Sequence, residues 1–292
     1  MLAISRLKLY YSLTKPGVLY GNVLTTVAGF LLAAGYKQRF DAGLFIATII
    51  GTTLVIASAC TINNYFDRDI DSIMARTKAR AVASGKIKGR HAVIFSIVLG
   101  ALGLSVLILG VNWLVVAIGL IGFIDYVWLY AMFSKRRSVH GTLVGSISGA
   151  MPITAGYCAV TNRVDGGAIL VFLALFFWQM PEFYSIAIYR RKEYQAAGVP
   201  VISVVKGVKR TKIEILLYTI AFVAATLLLT IFGFTGYLYF VIMALLGSYW
   251  LLLAIKGLHR TDSDQWARQM FHFSLVVLLA YCLALSIGAL LP

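Results

Sequence analysis

The polar residues best suited to chemistry lie in two short runs between long apolar stretches, and the first run holds Asn63, Asp67 and Asp71. If the preceding helix continues through this run, the three residues recur at i, i+4 and i+8 and share one helix face. Their oxygens suit Mg²⁺, which often bridges to substrate phosphates. The spacing therefore predicts a magnesium site, with a salt-bridged helix end as the alternative. Asp69 points to the other side and is predicted to be structural.

The second run begins inside an apolar segment at Glu182. On a continuous helix, Glu182, Tyr189 and Glu193 fall within about 20° of the same direction, with Gln179 nearby. Because a carboxylate within a membrane-length apolar segment is costly, Glu182 is a candidate for a site that faces a cavity or a partner. Asp125 raises the same question, and a structural hydrogen bond and a ligand role are equally open for it.

Between the two runs stand the basic residues Lys135, Arg136 and Arg137. Such a cluster can pair with a diphosphate, or it can anchor a helix end among lipid headgroups. Its position at the end of an apolar stretch leaves both interpretations open. The glycines that follow, Gly141 and Gly145 with Gly149, recur every fourth residue and predict close helix packing.

The composition identifies the elements that must position these residues. Of 292 residues, 60% are hydrophobic and 13% are charged, and the mean hydropathy is +0.87. Soluble domains carry about 25% charged residues, so soluble globular, disordered and disulfide-scaffold classes are excluded. The net charge of +15 fits cytoplasmic loops and anionic ligands of a membrane protein, and no nucleic-acid partner is expected.

Nine apolar stretches are long enough to cross a bilayer as helices, and they form a single membrane domain over residues 1–292. The predicted spans lie at about 17–35, 41–63, 91–110, 112–133, 139–161, 166–189, 213–234, 235–257 and 270–291. Two connections are long and highly charged, at about 64–90 and 190–212. We expect function to concentrate in these two loops.

The distribution of basic residues predicts the orientation. The N-terminal segment and the loops after even-numbered spans contain 23 Lys and Arg residues, against 3 in the other loops. The positive-inside rule therefore places the N-terminus and both long loops in the cytoplasm and the C-terminus outside. No cleavable signal peptide is expected. Three cysteines stand singly in apolar segments and are predicted to be packing thiols, at Cys60, Cys158 and Cys282.

The run from Asn63 to Arg80 resembles the first aspartate-rich motif of the UbiA-type intramembrane prenyltransferases. Other motifs are similar to those of the haem O synthase, or protohaem IX farnesyltransferase, branch of that family. These motifs are Tyr130 with Lys135-Arg136, Gly141-Thr142 to Pro152, Trp178-Gln179-Met180-Pro181, and Tyr194 to Val201. The resemblance covers nearly the whole chain.

This resemblance implies an all-α integral membrane fold with nine helices around a central cavity, in a bacterial inner membrane. It implies Mg²⁺-dependent transfer of a farnesyl group from farnesyl diphosphate to a vinyl group of haem B. The product, haem O, would serve terminal oxidases. The implied partners are therefore both substrates, membrane lipid, and a terminal oxidase or another haem-modifying enzyme.

The resemblance also assigns roles by position. The metal would be held by Asn63, Asp67, Asp71 and Glu193, which with Lys135 form the expected catalytic set. Diphosphate oxygens would be bound by Arg76, Arg80, Tyr130, Lys135, Arg136 and Lys192. The acceptor would contact Gln179, Glu182 and Tyr189. Aromatic faces that could shield an allylic cation are Phe66, Tyr130, Trp178 and Tyr184.

Three positions depart from the family pattern. Glu182 stands where His is usual, Glu193 where Asp is usual, and Ala81 where Pro is usual. The first departure affects how haem would be bound. The remaining histidines match no family position and are predicted to be structural: His91, His140, His259 and His272. A related prenyltransferase with an aromatic or quinone-precursor acceptor is therefore an alternative, and a transporter is a more distant one.

Overall fold

The computed structural model describes residues 2–288, with side chains from residue 6 onward. Across this range the chain is helical and has nine helices long and apolar enough to cross a membrane. These spans, numbered one to nine in chain order, are Pro16–Tyr36, Ala42–Phe66, Gly89–Gly110, Trp113–Arg137, Gly141–Thr161, Gly166–Tyr189, Gly207–Ile231, Tyr237–His259 and Ser263–Gly288. The predicted all-α membrane fold is confirmed. The predicted end of span nine, at about 291, lies outside the described residues.

Two span starts differ clearly from the prediction. Span seven begins at Gly207 rather than at about 213, and span nine begins at Ser263 rather than at about 270. Both helices extend beyond their apolar portion into charged sequence. Arg210 supports the extension in span seven, because it binds Glu214 one helical turn later at 2.6 Å. Hydropathy marks where a helix can meet lipid, whereas the hydrogen-bonded helix itself continues further.

The spans form a closed ring in which each packs against the next and span nine returns to span one. Span one also crosses to span five, and span six crosses to span nine. At the first crossing, Gly29 lies against the backbone of Ile153, and Gly156 lies against the backbone of Thr26. Such close approach needs residues without a side chain. The ring of spans therefore surrounds an interior space.

Short helices cover the end of the ring where spans two and six finish. They are Arg68–Ile73, Arg191–Ala196 and Ile202–Val205, and together with their connecting turns they form what we call the cap, residues 67–88 and 190–206. Ile70 and Met74 pack against Val199, with Tyr194 at the edge of the same cluster. The two long loops therefore meet. The cytoplasmic location of the cap remains a prediction.

The contact between spans one and five gives a stability prediction. A methyl group added at Gly29 would collide with the Ile153 backbone, so Gly29→Ala should lower the free energy of unfolding by about 1–3 kcal/mol. Gly21→Ala is the matched control, because no atom lies within 4 Å of the added methyl group. Its stability should stay within about 1 kcal/mol of the parent. Denaturant unfolding in mixed micelles, followed by circular dichroism, measures both, and equal stabilities would contradict the close contact.

Candidate active site

A cavity of about 520 Å³ lies beneath the cap. Its wall is formed by cap residues and by spans one to six and nine, while spans seven and eight contribute no residue to it. The part remote from the cap is apolar and includes Val55, Leu107 and Ile118. The end next to the cap carries the charged residues. The cavity therefore has a polar mouth and an apolar interior, as a ligand with a charged head and a hydrocarbon tail requires.

The first acidic run lies at this mouth. Asn63, Asp67 and Asp71 all line the cavity and are at most 3% exposed. Span two ends at Phe66, yet the Asp67 amide donates to the Asn63 carbonyl and the Asp71 amide donates to the Asp67 carbonyl. These bonds preserve the helical spacing across the break. The three side chains consequently share one face.

Each residue of the run contacts a cation. Lys135 Nζ lies 2.6 Å from Asp67 Oδ2, and Arg80 Nη1 lies 2.8 and 2.7 Å from the two oxygens of Asp71. The amide oxygen of Asn63 accepts a hydrogen bond from Lys15, whose side chain also lines the cavity. The acidic run is thus salt-bridged. Its ion pairs lie inside a cavity, however, and their cations come from other elements.

The run also has unused binding capacity. Asp67 Oδ1 and Asn63 Nδ2 are buried, and neither has a hydrogen-bond partner among the described residues. Buried polar atoms without partners are uncommon in folded proteins, so these two point to a bound group. An amide oxygen and two carboxylates are hard oxygen ligands that fit Mg²⁺. Residues 6–288 contain no cluster of three or more His, Cys, Asp or Glu side chains able to hold a metal, so the Asn63 amide would have to complete this set.

Lys15 is a site residue that the sequence analysis missed. It is a single basic residue before Pro16, between the N-terminal helix Leu2–Leu13 and span one, with a left-handed backbone at φ 52°. Burial lowers the pKa of Lys15 to about 8, and the nearby Asp67 partly opposes this shift. Four cations therefore line the cavity: Lys15, Arg76, Arg80 and Lys135. Only its unusual backbone distinguishes Lys15, and that is not visible in sequence.

A π-helical segment, residues 125–134 of span four, and the residue that follows it direct three side chains to the cavity. Tyr126, Tyr130 and Lys135 all line the wall, at spacings of four and five that fit the wider turn of a π-helix. Gly145 allows this arrangement, because an added Cβ would lie 2.8 Å from the Tyr130 ring. Tyr126 was also missed by the sequence analysis, since π-helices have no clear sequence pattern.

The remaining glycines of the repeat confirm the predicted close packing, because Gly141 lies against the Lys135 backbone and Gly149 against the Gln179 side chain. Asp125 is buried behind the cavity wall, where it accepts the Ser148 amide at 2.9 Å. This bond and the position off the cavity wall agree with a structural role for Asp125, although its Oδ1 has no partner among the described residues.

The second polar run is divided between the cavity and the cap. Gln179 and Glu182 line the cavity, and Gln179 Nε2 donates to the carbonyls of Ser146 and Leu175 at 3.1 and 3.0 Å. Span six then ends at Tyr189, and the backbone turns at Arg190. This break separates Glu193 from the stripe that a continuous helix would have formed.

Four residues with predicted roles do not line the cavity: Arg136, Tyr189, Lys192 and Glu193. Arg136 instead binds both oxygens of Asp69 at 2.7 Å and holds the pKa of that carboxyl well below its ordinary value. Glu193 binds Arg190 at 2.8 Å, and Lys192 is exposed. The assigned roles of all four therefore stay predictions. The pairing of Asp69 agrees with its expected structural role.

None of the four histidines lines the cavity, and His91, His140, His259 and His272 are all exposed. Of the aromatic residues expected near the substrate, Trp178 and Tyr130 line the wall, whereas Phe66 and Tyr184 do not. Tyr194 reaches the wall from the cap, where the sequence analysis had given it no role.

Comparison with known proteins identifies the family. A family model described as the UbiA prenyltransferase family matches residues 22–276. The chain belongs to this family. It is 45% identical to a "Protoheme IX farnesyltransferase" of Yersinia enterocolitica, an alignment that covers 98% of this chain and 96% of the relative. A protein of the same name from Photorhabdus laumondii is also 45% identical, with 98% and 97% covered.

Solved structures share the UbiA fold. One, from a study of "Digeranylgeranylglyceryl phosphate synthase in membranes", superposes with a TM-score of 0.81 at 20% identity and covers 98% of this chain and 99% of its own. A UbiA homologue from Archaeoglobus fulgidus bound to GPP and Mg²⁺ superposes with a TM-score of 0.69 at 17% identity, covering 95% and 99%. The predicted resemblance and the predicted prenyltransferase class are confirmed, and the transporter alternative is set aside.

The site of this UbiA family member gives a second stability prediction. Arg80→Met would leave the buried Asp71 carboxylate without its cation, so the free energy of unfolding should fall by about 1–3 kcal/mol. Arg210→Met removes an equally short pair that is half-exposed, and it should cost about 0–1 kcal/mol. Unfolding in mixed micelles compares them. The double variant Arg80→Met/Asp71→Asn should recover part of the loss, and no recovery would argue against the pair.

Proposed function

We propose that this multi-pass membrane protein transfers the farnesyl group of farnesyl diphosphate to a vinyl group of haem B and so produces haem O. One observation of the structure carries the proposal: a cavity whose apolar interior opens into a mouth of paired carboxylates and cations. The names of the relatives at 45% identity support haem B as the acceptor over an aromatic or quinone precursor. Their bacterial sources support a location in the bacterial inner membrane.

The cations at the mouth can exchange their carboxylate partners for the anionic groups of a substrate. Lys135 and Arg80 each neutralise a buried carboxylate, and two further cations, Lys15 and Arg76, line the same wall. A diphosphate would supply oxygens for these donors, and hydrogen bonds between guanidinium or ammonium groups and phosphate are among the strong ones in proteins. The cations would then stabilise the charge that grows on the diphosphate as the allylic C–O bond breaks.

The carboxylates released from these pairs are the proposed ligands of Mg²⁺. Asn63, Asp67 and Asp71 would hold the ion, and the unpartnered Asp67 Oδ1 supports this assignment. When bound, Mg²⁺ would act as a Lewis acid toward the diphosphate oxygens. A protein of the same fold binds GPP and Mg²⁺. Glu193 and Lys192 lie in the cap and would contribute by closure of the cap over the substrate.

The interior of the cavity would hold the farnesyl chain and the acceptor away from water. Apolar side chains from seven spans exclude water, which protects an allylic cation from hydrolysis. The faces of Tyr126, Tyr130 and Trp178 line the same space and can stabilise a cation by cation–π attraction. Gln179 and Glu182 are the proposed acceptor contacts on the wall, whereas Tyr189 packs outside it beside Phe271. A terminal oxidase or a haem-modifying enzyme would then receive the product.

The test is an assay on cytoplasmic membranes of a bacterial host that carry the protein. Membranes receive Mg²⁺, farnesyl diphosphate and haem B, and the extracted haems are resolved by chromatography and mass. We expect a farnesylated, hydroxylated haem that disappears when EDTA removes the metal. Asp67→Asn should lower the rate by at least about 100-fold, because it removes a charge from the metal and diphosphate site. Asp69→Asn is the matched control two residues away, and its rate should stay close to that of the parent.

A parent protein that releases diphosphate but forms no new haem would instead favour another prenyl acceptor. An Asp67→Asn variant with near-normal rate would contradict the metal assignment. Both variants must be compared at equal amounts of membrane-inserted protein.

The position of each cation predicts how much it contributes to the binding of farnesyl diphosphate. Lys135 lies on the cavity wall, so Lys135→Ala should raise KM for farnesyl diphosphate roughly 10- to 100-fold, the equivalent of one charge-assisted hydrogen bond. Lys192 is exposed in the cap, and Lys192→Ala should raise KM less. Initial rates of diphosphate release at varied donor concentration measure both. Equal effects would show that the cap contributes as much as the wall.

A further inference from the structure

Glu182 differs from the other carboxylates of the cavity in having no hydrogen-bond or ion-pair partner among the described residues. Six ion pairs join the described residues, and they include Asp67 and Asp71 but not Glu182. The polar neighbours of Glu182 on span six are satisfied, because Gln179 donates to two carbonyls and Ser185 donates to the Pro181 carbonyl. Glu182 faces the cavity without such a bond. A lone carboxylate inside a membrane segment is costly and needs a functional reason.

The depth of Glu182 places it below the charged mouth. It precedes the cap end of span six, Tyr189, by seven residues, which is roughly 10 Å along a helix. Side chains on a helix lean toward its N-terminus, and span six runs toward the cap, so the Glu182 side chain leans into the apolar interior. The mouth would hold the diphosphate, and the hydrocarbon side of the cavity would hold the acceptor. Glu182 lies at the level where the two meet.

The other carboxylates and the phenols of the wall are less suited than Glu182 to accept a proton. Asp67 and Asp71 are held by Lys135 and Arg80 and are proposed metal ligands. Tyr126, Tyr130 and Tyr194 are weak bases at neutral pH, since a phenol ordinarily ionises near pH 10. The four histidines of the chain are exposed and lie off the wall.

We propose that Glu182 is the base that takes the proton from water in the last step of the reaction. This inference rests on the proposed function. The allylic C–O bond breaks, and its electron pair leaves with the diphosphate. The vinyl π electrons form the new C–C bond and leave a cation on the vinyl carbon next to the macrocycle. A water oxygen bonds to that carbon, and the proton that it loses passes to the Glu182 carboxylate, which becomes a neutral carboxylic acid.

The experiment compares full-length Glu182→Gln, Glu182→Asp and Glu182→His proteins in membranes with the parent. An amide keeps the size of the side chain but accepts no proton, so Glu182→Gln should form hydroxylated product about 100-fold more slowly. The trapped cation should lose a proton from carbon instead, giving a prenylated haem lighter by one water. Carboxylate and imidazole both accept protons, so the Asp and His variants should retain the hydroxylated product. KM for haem B should change little.

Glu214→Gln is the matched control, because this carboxylate pairs with Arg210 and lies off the cavity wall. Its product ratio and rate should equal those of the parent. The inference is overturned if Glu182→Gln makes hydroxylated product at the parental rate, or if only its KM for haem B rises. A parent that forms no prenylated haem would overturn the proposed function and this inference with it. An active parent with an unchanged product ratio in Glu182→Gln would overturn the inference alone.

Discussion

The structure depends on the neutralisation of buried carboxylates by cations from separate elements. Asp67 at the end of span two is matched by Lys135 at the end of span four, and Asp71 in the cap is matched by Arg80. Removing one partner from such a pair leaves an uncompensated charge and is strongly destabilising. The first pair therefore ties the cap to the end of span four, and the second holds two parts of the cap together. They explain why a highly charged loop folds over an apolar cavity instead of extending into solvent.

The same pairs suit the site to a charged ligand. A buried ion pair contributes little net stability compared with an apolar pair, because the desolvation of both charges offsets their attraction. If diphosphate oxygens replace the carboxylates as partners of Lys135 and Arg80, we therefore expect little loss of stability. This holds provided that a metal cation neutralises the carboxylates. Asp67 Oδ1, which has no partner among the described residues, already provides part of that second site. Stability and binding thus rest on one set of charges.

The sequence predicted those features that depend on local periodicity. Hydropathy located nine spans, and helical spacing placed Asn63 and Asp71 on one face with Asp67. The prediction from sequence was wrong where the backbone departs from a regular helix. The turn at Arg190 moved Glu193 away from Glu182, and the π-helical segment of span four brought Tyr126 to the wall. Such departures are set by packing between distant segments, which no single stretch of sequence encodes.

The resemblance implies a histidine at the position of Glu182, and this difference separates two possible functions of that position. Imidazole and carboxylate both accept protons, but imidazole is the better ligand for haem iron, and a carboxylate is a harder ligand. The exchange therefore preserves base chemistry more fully than iron ligation. No other histidine lines the cavity to replace a lost iron ligand. A carboxylate without a partner among the described residues, below the charged mouth of the cavity, is consequently better explained by proton transfer than by binding of the iron.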